Sequence, residues 1–300
     1  MLRLGVDFGG TKIEAAALDE AGRFVSRVRL PNPGAYGPAL EVVRQVIEAV
    51  EAEAGQRFDR VGMGIPGSIS PASGLIRNAN SHWLNDRPLP ADLEAVLGRQ
   101  VRLRNDADCM IISEAVDGAA AGVRCAFGVI IGTGCGGGLA VGGEPWSGAN
   151  AIAGEWGHTP LPWLEEGEYR SRRCWCGRWD CIETFLSGPG LVEDYRRQTG
   201  RSLEAPAIVA ASRAGEPEGV CVLEAYMNRL GRALAMVCDV LDPDVIVLAG
   251  GMSNLAELYD RLPGLVGAHV FSDTFRTPIR QAAHGDSSGV RGAAWLWPPA

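Results

Sequence analysis

Two hydrophobic patterns recur along the chain. One is a short, nearly unbroken apolar run that ends in glycine. The other is a longer stretch with apolar residues three to four apart. The first run, Leu4 to Val6, meets Asp7, Gly9 and Gly10, and Ile13 to Leu18 resumes it. That pattern predicts a β-hairpin with a glycine turn. Leu40, Val43, Val46, Ile47 and Val50 then predict a helix over Ala39 to Ala54. Val61 to Ile65 is a strand closed by Pro66-Gly67, and Ser68 to Asn85 reads as a long ordered loop, which in a compact domain is usually functional. A short helix is expected at Ala91 to Leu97, a strand at Val101 to Leu103 and a helix at Ala107 to Ala121. Further helices fit Leu191 to Gln198, Ala207 to Arg213 and Val220 to Leu241. Val245 to Leu248 has the unbroken apolar character of a buried parallel strand and runs into Gly250-Gly251. Gly289 to Trp297 reads as a tail helix.

The run from Phe127 to Ile131 into Gly132-Thr133-Gly134, with Leu139 to Val141 returning, repeats the opening pattern. Gly5-Val6 matches Gly128-Val129, and Asp7 matches Ile130. Two such hairpins, one domain apart, imply a duplicated α/β fold whose halves face each other across a cleft. The expected domains are 1–120, rejoined by a C-terminal helix at 289–300, and 121–288. No sequence ends in Gly-Lys-Ser/Thr, so a P-loop is excluded, and a strand rather than a helix follows Gly9-Gly10, which excludes a dinucleotide fingerprint.

At 300 residues with 46% hydrophobic content, the composition is that of a folded globular protein. The 40 glycines are spread along the chain, so they mark turns rather than low complexity. A net charge of −8 disfavours a basic nucleic-acid surface. No apolar run is long enough to span a membrane, and the chain enters a strand at once, without signal-peptide regions. Of the eight cysteines, five are scattered through apolar stretches and three are clustered. A reducing cytosol with one metal site accounts for that distribution, so a cytoplasmic location is expected.

Three groups of residues carry candidate chemistry. Gly9-Gly10 and Gly132 to Gly134 offer turns where backbone N–H groups can approach phosphates, with glycine allowing positive φ. Asp7 stands where a carboxylate could hold hydrated magnesium. His158 with Cys174, Cys176 and Cys181 matches a closed Cys₃His zinc site, structural rather than catalytic. A chance Cys-x-Cys pair, or a disulfide to Cys181, is the competing reading. Glu155 and Glu183 flank the ligands, where a metal-braced loop could hold them against a polyol. Asp106 follows a predicted strand and opens a predicted helix. It fits a general base for phosphoryl transfer, and Asn105 or Asp106 fits a helix N-cap equally well.

These residues, in this order, resemble the ROK family (repressors, open reading frames, kinases) of the actin-like ATPase superfamily, with its ribonuclease H-like halves. The likeness spans the whole chain. It is carried by Asp7-Phe8-Gly9-Gly10-Thr11-Lys12, Asn105-Asp106-Ala107-Asp108, Ile131 to Gly138, Glu155-Trp156-Gly157-His158 with the three cysteines, and Val247 to Met252. Within the family the closest likeness is to bacterial fructokinases (mannofructokinases), through Gly62 to Pro71, Asn78 to Asn85 and Ala283 to Trp297. The resemblance implies an ATP- and magnesium-dependent hexose kinase, most closely one for D-fructose, acting as a homodimer. Kinases for glucose, mannose or an N-acetylhexosamine, and a non-catalytic sugar sensor, are its alternatives. A ROK repressor would need a helix-turn-helix before the first hairpin, and none fits.

By the resemblance, the nucleotide meets Gly5, Val6, Asp7, Phe8, Gly9, Gly10, Thr11 and Lys12 in the first half. In the second it meets Gly132, Thr133, Gly134, Cys135, Gly136, Gly137, Gly138, Leu139, Gly250 and Gly251. Gly67, Asn80, Asn105, Asp106, Glu155, His158 and Glu183 would line the sugar site. One position departs from the pattern. Asp180 stands before the last cysteine, where the family usually has glycine, and Asp tolerates positive φ better than most residues.

Overall fold

The computed structural model describes residues 2–297. The chain divides into two compact units. One comprises the chain up to Arg124, Gly138–Ala153, and the segment from Ala283 on. The other comprises Cys125–Gly137 and Gly154–Ala282. No described helix is long and apolar enough to cross a membrane.

The first unit opens with an antiparallel meander: β1 (Arg3–Phe8), β2 (Lys12–Leu18) and β3 (Phe24–Pro31). Helix α1 (Tyr36–Ala54) buries the face that its spacing predicts. Strand β4 (Arg60–Ile65) pairs parallel to β1, with Gly5 opposite Gly62. The expected loop 68–85 is instead partly built. It holds a two-stranded ribbon, β5 (Ser68–Ile69) with β6 (Ile76–Arg77), and a 3₁₀ turn at His82–Leu84. Its anchors Ile76, Ala79 and Leu84 are fully buried. They are too few and too irregularly spaced to show a period. After α2 (Leu89–Leu97), strand β7 (Gln100–Asn105) joins parallel to β4, completing the order β3-β2-β1-β4-β7. Helix α3 (Asp106–Asp117) starts on the next residue and ends at Asp117, four residues short of the expected Ala121.

The second hairpin, β8 (Cys125–Ile131) with β9 (Cys135–Val141), begins the other sheet. A short β10 (Glu144–Pro145) extends it. Helices α4 (Ile182–Leu186), α5 (Gly188–Thr199), α6 (Ala205–Arg213) and α7 (Pro217–Leu241) follow, then β11 (Val245–Ala249), α8 (Glu257–Gly267) and β12 (Ile279–Gln281). The order is β10-β9-β8-β11-β12, with β11 parallel to β8 and β12 parallel to β11. Each sheet is therefore an antiparallel ribbon followed by two parallel strands, as the internal repeat implied. Helix α8 escaped the sequence reading because Pro263 lies inside it. Strand β12 is only three residues long.

The last helix, α9 (Ser288–Trp295), returns to the first unit and lies on β1, β4 and α3 with backbone against backbone. A Cβ on Gly62 would stand 1.8 Å from the Ala293 carbonyl oxygen, and one on Gly292 would stand 1.6 Å from that of Cys109. Gly5 makes the same kind of contact, 2.2 Å from the Val290 oxygen. Glycine at these positions is what admits the helix.

A Gly62→Ala substitution should accordingly lower stability by about 1–3 kcal/mol, the usual cost of overpacking a rigid contact. Its chemical-denaturation midpoint, compared with that of an exposed control without positive φ such as Gly37→Ala, measures this. An unchanged midpoint would show that the helix can shift to accept the methyl group.

Candidate active site

In the first unit, three parallel strands deliver the chemistry to one edge of the sheet. Gly64 on β4 is in register with Asp7 on β1, and Ile65 with Asn105 on β7, so Asp7, Gly67 and Asp106 sit together where the strands end. Asn105 is the N-cap of α3, its Oδ1 accepting from the Ala107 N–H at 2.9 Å. Asp106 is the first helical residue and is exposed, with Oδ1 2.8 Å from the same N–H. Capping falls to Asn105, which leaves Asp106 at the surface with the helix N-terminus behind it. The Asn105 Nδ2 group donates to the Gly67 carbonyl at 2.9 Å. Gly67 has φ +75°, and a Cβ there would stand 2.5 Å from the Arg77 oxygen, so only glycine fits. Asn80 is exposed beside it, and Asn85 brackets the preceding Ala79 with a hydrogen bond to each of its backbone groups.

Partial burial, and then the nearby Asp106 and Glu14 carboxylates, push Asp7 up to about 7. Lys12 and Arg29 oppose that shift without cancelling it, and carboxylate oxygens beside phosphates suit hydrated magnesium. The first glycine turn departs from expectation in one respect: neither Gly9 nor Gly10 has positive φ. Glycine is needed at Gly9 because the chain doubles back closely, placing a Cβ 2.9 Å from the Lys12 oxygen. The turn has a clamp that sequence reasoning missed. Asn32 donates through Nδ2 to the Gly9 oxygen at 2.7 Å, and its N–H to the Thr11 oxygen at 2.9 Å. Pro31-Asn32-Pro33 was its only signal, as a turn. Val6 and Phe8 are buried, so they support this turn from the core side.

In the second unit the turn Gly132 to Gly134 closes with a Gly132 N–H to Gly134 oxygen bond of 3.0 Å, and the Gly188 N–H at the start of α5 reaches the Gly132 oxygen at 2.7 Å. Gly250, at φ +83°, packs its Cα on the Ile131 backbone. Beside these lies a cavity of about 690 Å³ lined by Gly132, Thr133, Gly188, Pro189, Val209, Gly251 and Met252, among others. Apolar walls with backbone amides at one end suit a nucleoside with its phosphates at the glycine turn. Gly137 and Gly138 pack instead. A Cβ on Gly137 would meet the Gly154 oxygen at 2.7 Å, and one on Gly138 the Ala107 oxygen at 2.4 Å. Gly136 and Leu139 are partly exposed along β9.

The ligand atoms of His158, Cys174, Cys176 and Cys181 all lie within 4.8 Å of one another. His158 Nδ1 is 3.6 Å from the Cys174 Sγ, and the Cys176 and Cys181 sulfurs are 3.6 Å apart. Thiolates about 2.3 Å from a tetrahedral zinc would be separated by about 3.8 Å, so the spacing fits. All three cysteines are free thiols, against the disulfide reading. Burial and then the neighbouring thiols push Cys181 up, a cost that a bound cation would reverse. Backbone bonds from Cys174 to Arg178 and from Gly177 to Cys174 shape the tight turn between the cysteines.

Asp180 answers its departure from glycine. It has φ +56° and is buried. Its carboxylate accepts the N–H groups of Arg170, Ser171 and Arg172. Arg172, Arg229 and Arg232 then tie the loop to α5 and α7 through Asp194 and Glu168. Burial works to raise Glu168, but hydrogen bonds from Arg232 and Arg229 hold it at about 2. Its stabilising contribution is present above the ordinary 4.5 and is lost as pH falls through about 2.

Glu155 opens the 3₁₀ turn Glu155–His158 and is half-buried. Glu183, on α4, engages both carboxylate oxygens. Oε1 accepts from the Trp175 indole at 2.6 Å and Oε2 from the Cys135 N–H at 3.1 Å.

A family model described as "ROK family" matches residues 3–300. An N-acetyl-D-glucosamine kinase of Salmonella paratyphi A is 39% identical over 297 residues, covering 97% of this chain and 98% of that one. Its counterpart in Salmonella typhimurium is 38% identical over the same span. Among solved structures, a ROK hexokinase from Thermus thermophilus superposes with a TM-score of 0.87 at 30% identity, covering 98% of this chain and 97% of that one. A ROK glucokinase from Streptomyces griseus, in complex with glucose and AMPPNP, has a TM-score of 0.81 at 26% identity, covering 99% of each chain.

Metal analysis of the purified protein should give about one zinc per chain, and Cys176→Ser should reduce it. Fully folded, active protein without zinc would remove the metal from the account.

Proposed function

The chain belongs to the ROK family and is an ATP-dependent sugar kinase, and on that premise we propose that its sugar is N-acetyl-D-glucosamine, with Asp106 as the general base. The observation that carries the sugar is the 39% identity, across nearly the full length of both chains, to a kinase named for that substrate. The fructose expectation gives way to it. A motif likeness confined to three stretches weighs less than similarity spread over every element that forms the site.

The reaction follows from the residues on the strand ends. Gly67, Asn80 and Asn105 place the sugar beside Asp106 at the strand-end edge of the first unit. The sugar hydroxyl, on C6, attacks the γ-phosphorus while the bond to the bridging oxygen of ADP breaks, and the hydroxyl proton passes to the Asp106 carboxylate. Asn105 fixes where α3 begins and therefore where that carboxylate points. Asp7 would hold magnesium through its hydration shell, and the ion, when bound, offsets phosphate charge. The nucleoside occupies the cavity beside Gly251 and Met252. Zinc, held by His158 and the three cysteines, would brace the loop and take no part in the chemistry.

A coupled ADP-release assay over N-acetylglucosamine, N-acetylmannosamine, glucose, mannose and fructose tests the substrate. The kcat/KM for N-acetylglucosamine should exceed that for fructose by about tenfold or more, since a site that pairs a substrate amide discriminates strongly against sugars lacking it. A preference for fructose would restore the earlier expectation.

Asp106→Asn should cut turnover ~10²–10⁴-fold and leave sugar affinity within a few-fold, since the amide keeps the shape but accepts no proton. Turnover within about threefold of the parent would show that another group takes the proton.

A further inference from the structure

The metal loop is built against the second glycine turn. Trp175 stands between the ligands Cys174 and Cys176 and meets the His158 ring edge-on, with centroids 4.9 Å apart. Its indole N–H donates to Glu183 Oε1 at 2.6 Å. The other oxygen of Glu183 accepts the Cys135 N–H at 3.1 Å, at the foot of the turn. A Cβ on Gly134 would lie only 2.8 Å from that same oxygen, so the turn folds directly over the carboxylate. A second contact runs in parallel. The buried Trp156 donates through Nε1 to the Gly136 oxygen at 2.9 Å, and Gly157 packs so closely on Cys135 that a Cβ would stand 1.9 Å from its oxygen.

We propose that Trp175 and Glu183 are positioning residues for the nucleotide: the indole orients the Glu183 carboxylate, and the carboxylate sets the Gly132 to Gly134 turn. The order of the metal loop is then felt at the phosphates of ATP. This rests on the kinase reading of the turn.

Trp175→Phe tests it in the full-length protein, because phenylalanine keeps an aromatic ring beside His158 and lacks the N–H donor. Binding of AMPPNP should weaken about tenfold, the scale of losing a hydrogen bond to a charged group. Metal content and affinity for the best sugar of the substrate panel should stay at parental values. Nucleotide affinity within about twofold of the parent overturns the proposal. Equal weakening of sugar and nucleotide overturns it too, since that marks a loosened loop. Glu183→Gln, which keeps one acceptor, should bind nucleotide better than Glu183→Ala. Equal losses in the two would assign the effect to charge and overturn positioning. None of these arms needs the metal to be zinc or the sugar to be N-acetylglucosamine, so failure of either assignment is separable.

Discussion

Backbone packed directly on backbone is the constraint on which both units depend. At Gly5, Gly62 and Gly292 a helix lies on a sheet and another helix with no side chain between them. At Gly157 the metal loop does the same on the second hairpin. A methyl group at any of these points would meet a carbonyl oxygen well inside contact distance, and interiors have little free volume to absorb that. The consequence is functional. With α9 seated that closely, its start lies against Asp7, where a Cβ on Gly289 would be 3.2 Å from the carboxylate. The edge of the first sheet that carries Asp7 is held by contacts made on the face of that sheet.

The second theme is how an acidic chain handles buried carboxylates. Glu14 is buried between Arg27 and Arg29 of the neighbouring strand. Glu114 accepts from the N–H groups of Ala119, Ala283 and His284 and from Ser288, pinning the point where the chain re-enters the first unit. Asp180 collects three amides, and Glu168 two arginines. A buried acid without such partners would cost several kcal/mol. Asp7 has less direct compensation: burial and the Asp106 and Glu14 carboxylates push it up, with Lys12 and Arg29 opposing the shift.

Much was legible in the sequence. The glycine-ended apolar runs located both hairpins, because a buried parallel strand must be apolar on both faces and must end where the backbone can turn. The internal repeat gave the duplicated topology, and the Cys-x-Cys spacing with His158 gave a ligand set that the structure closes. Asp180 was legible as a residue able to take positive φ. Other features were silent for physical reasons. The clamp of Asn32 on Gly9, the two partners of Glu183 and the three amides on Asp180 join residues far apart in sequence, so no local pattern records them. The role of glycine at Gly62 and Gly138 depends on which helix arrives opposite, and the residue type alone cannot separate close approach from positive φ. Nor do short motifs separate one hexose from another, because that choice lies in contacts to substituents spread over several loops. The sequence by itself therefore determined the repeat, the cluster of candidate metal ligands and the class of reaction. Which glycine packs against a helix and which lines an open turn, and which donors a carboxylate engages, were decided only when tertiary packing brought the partners together.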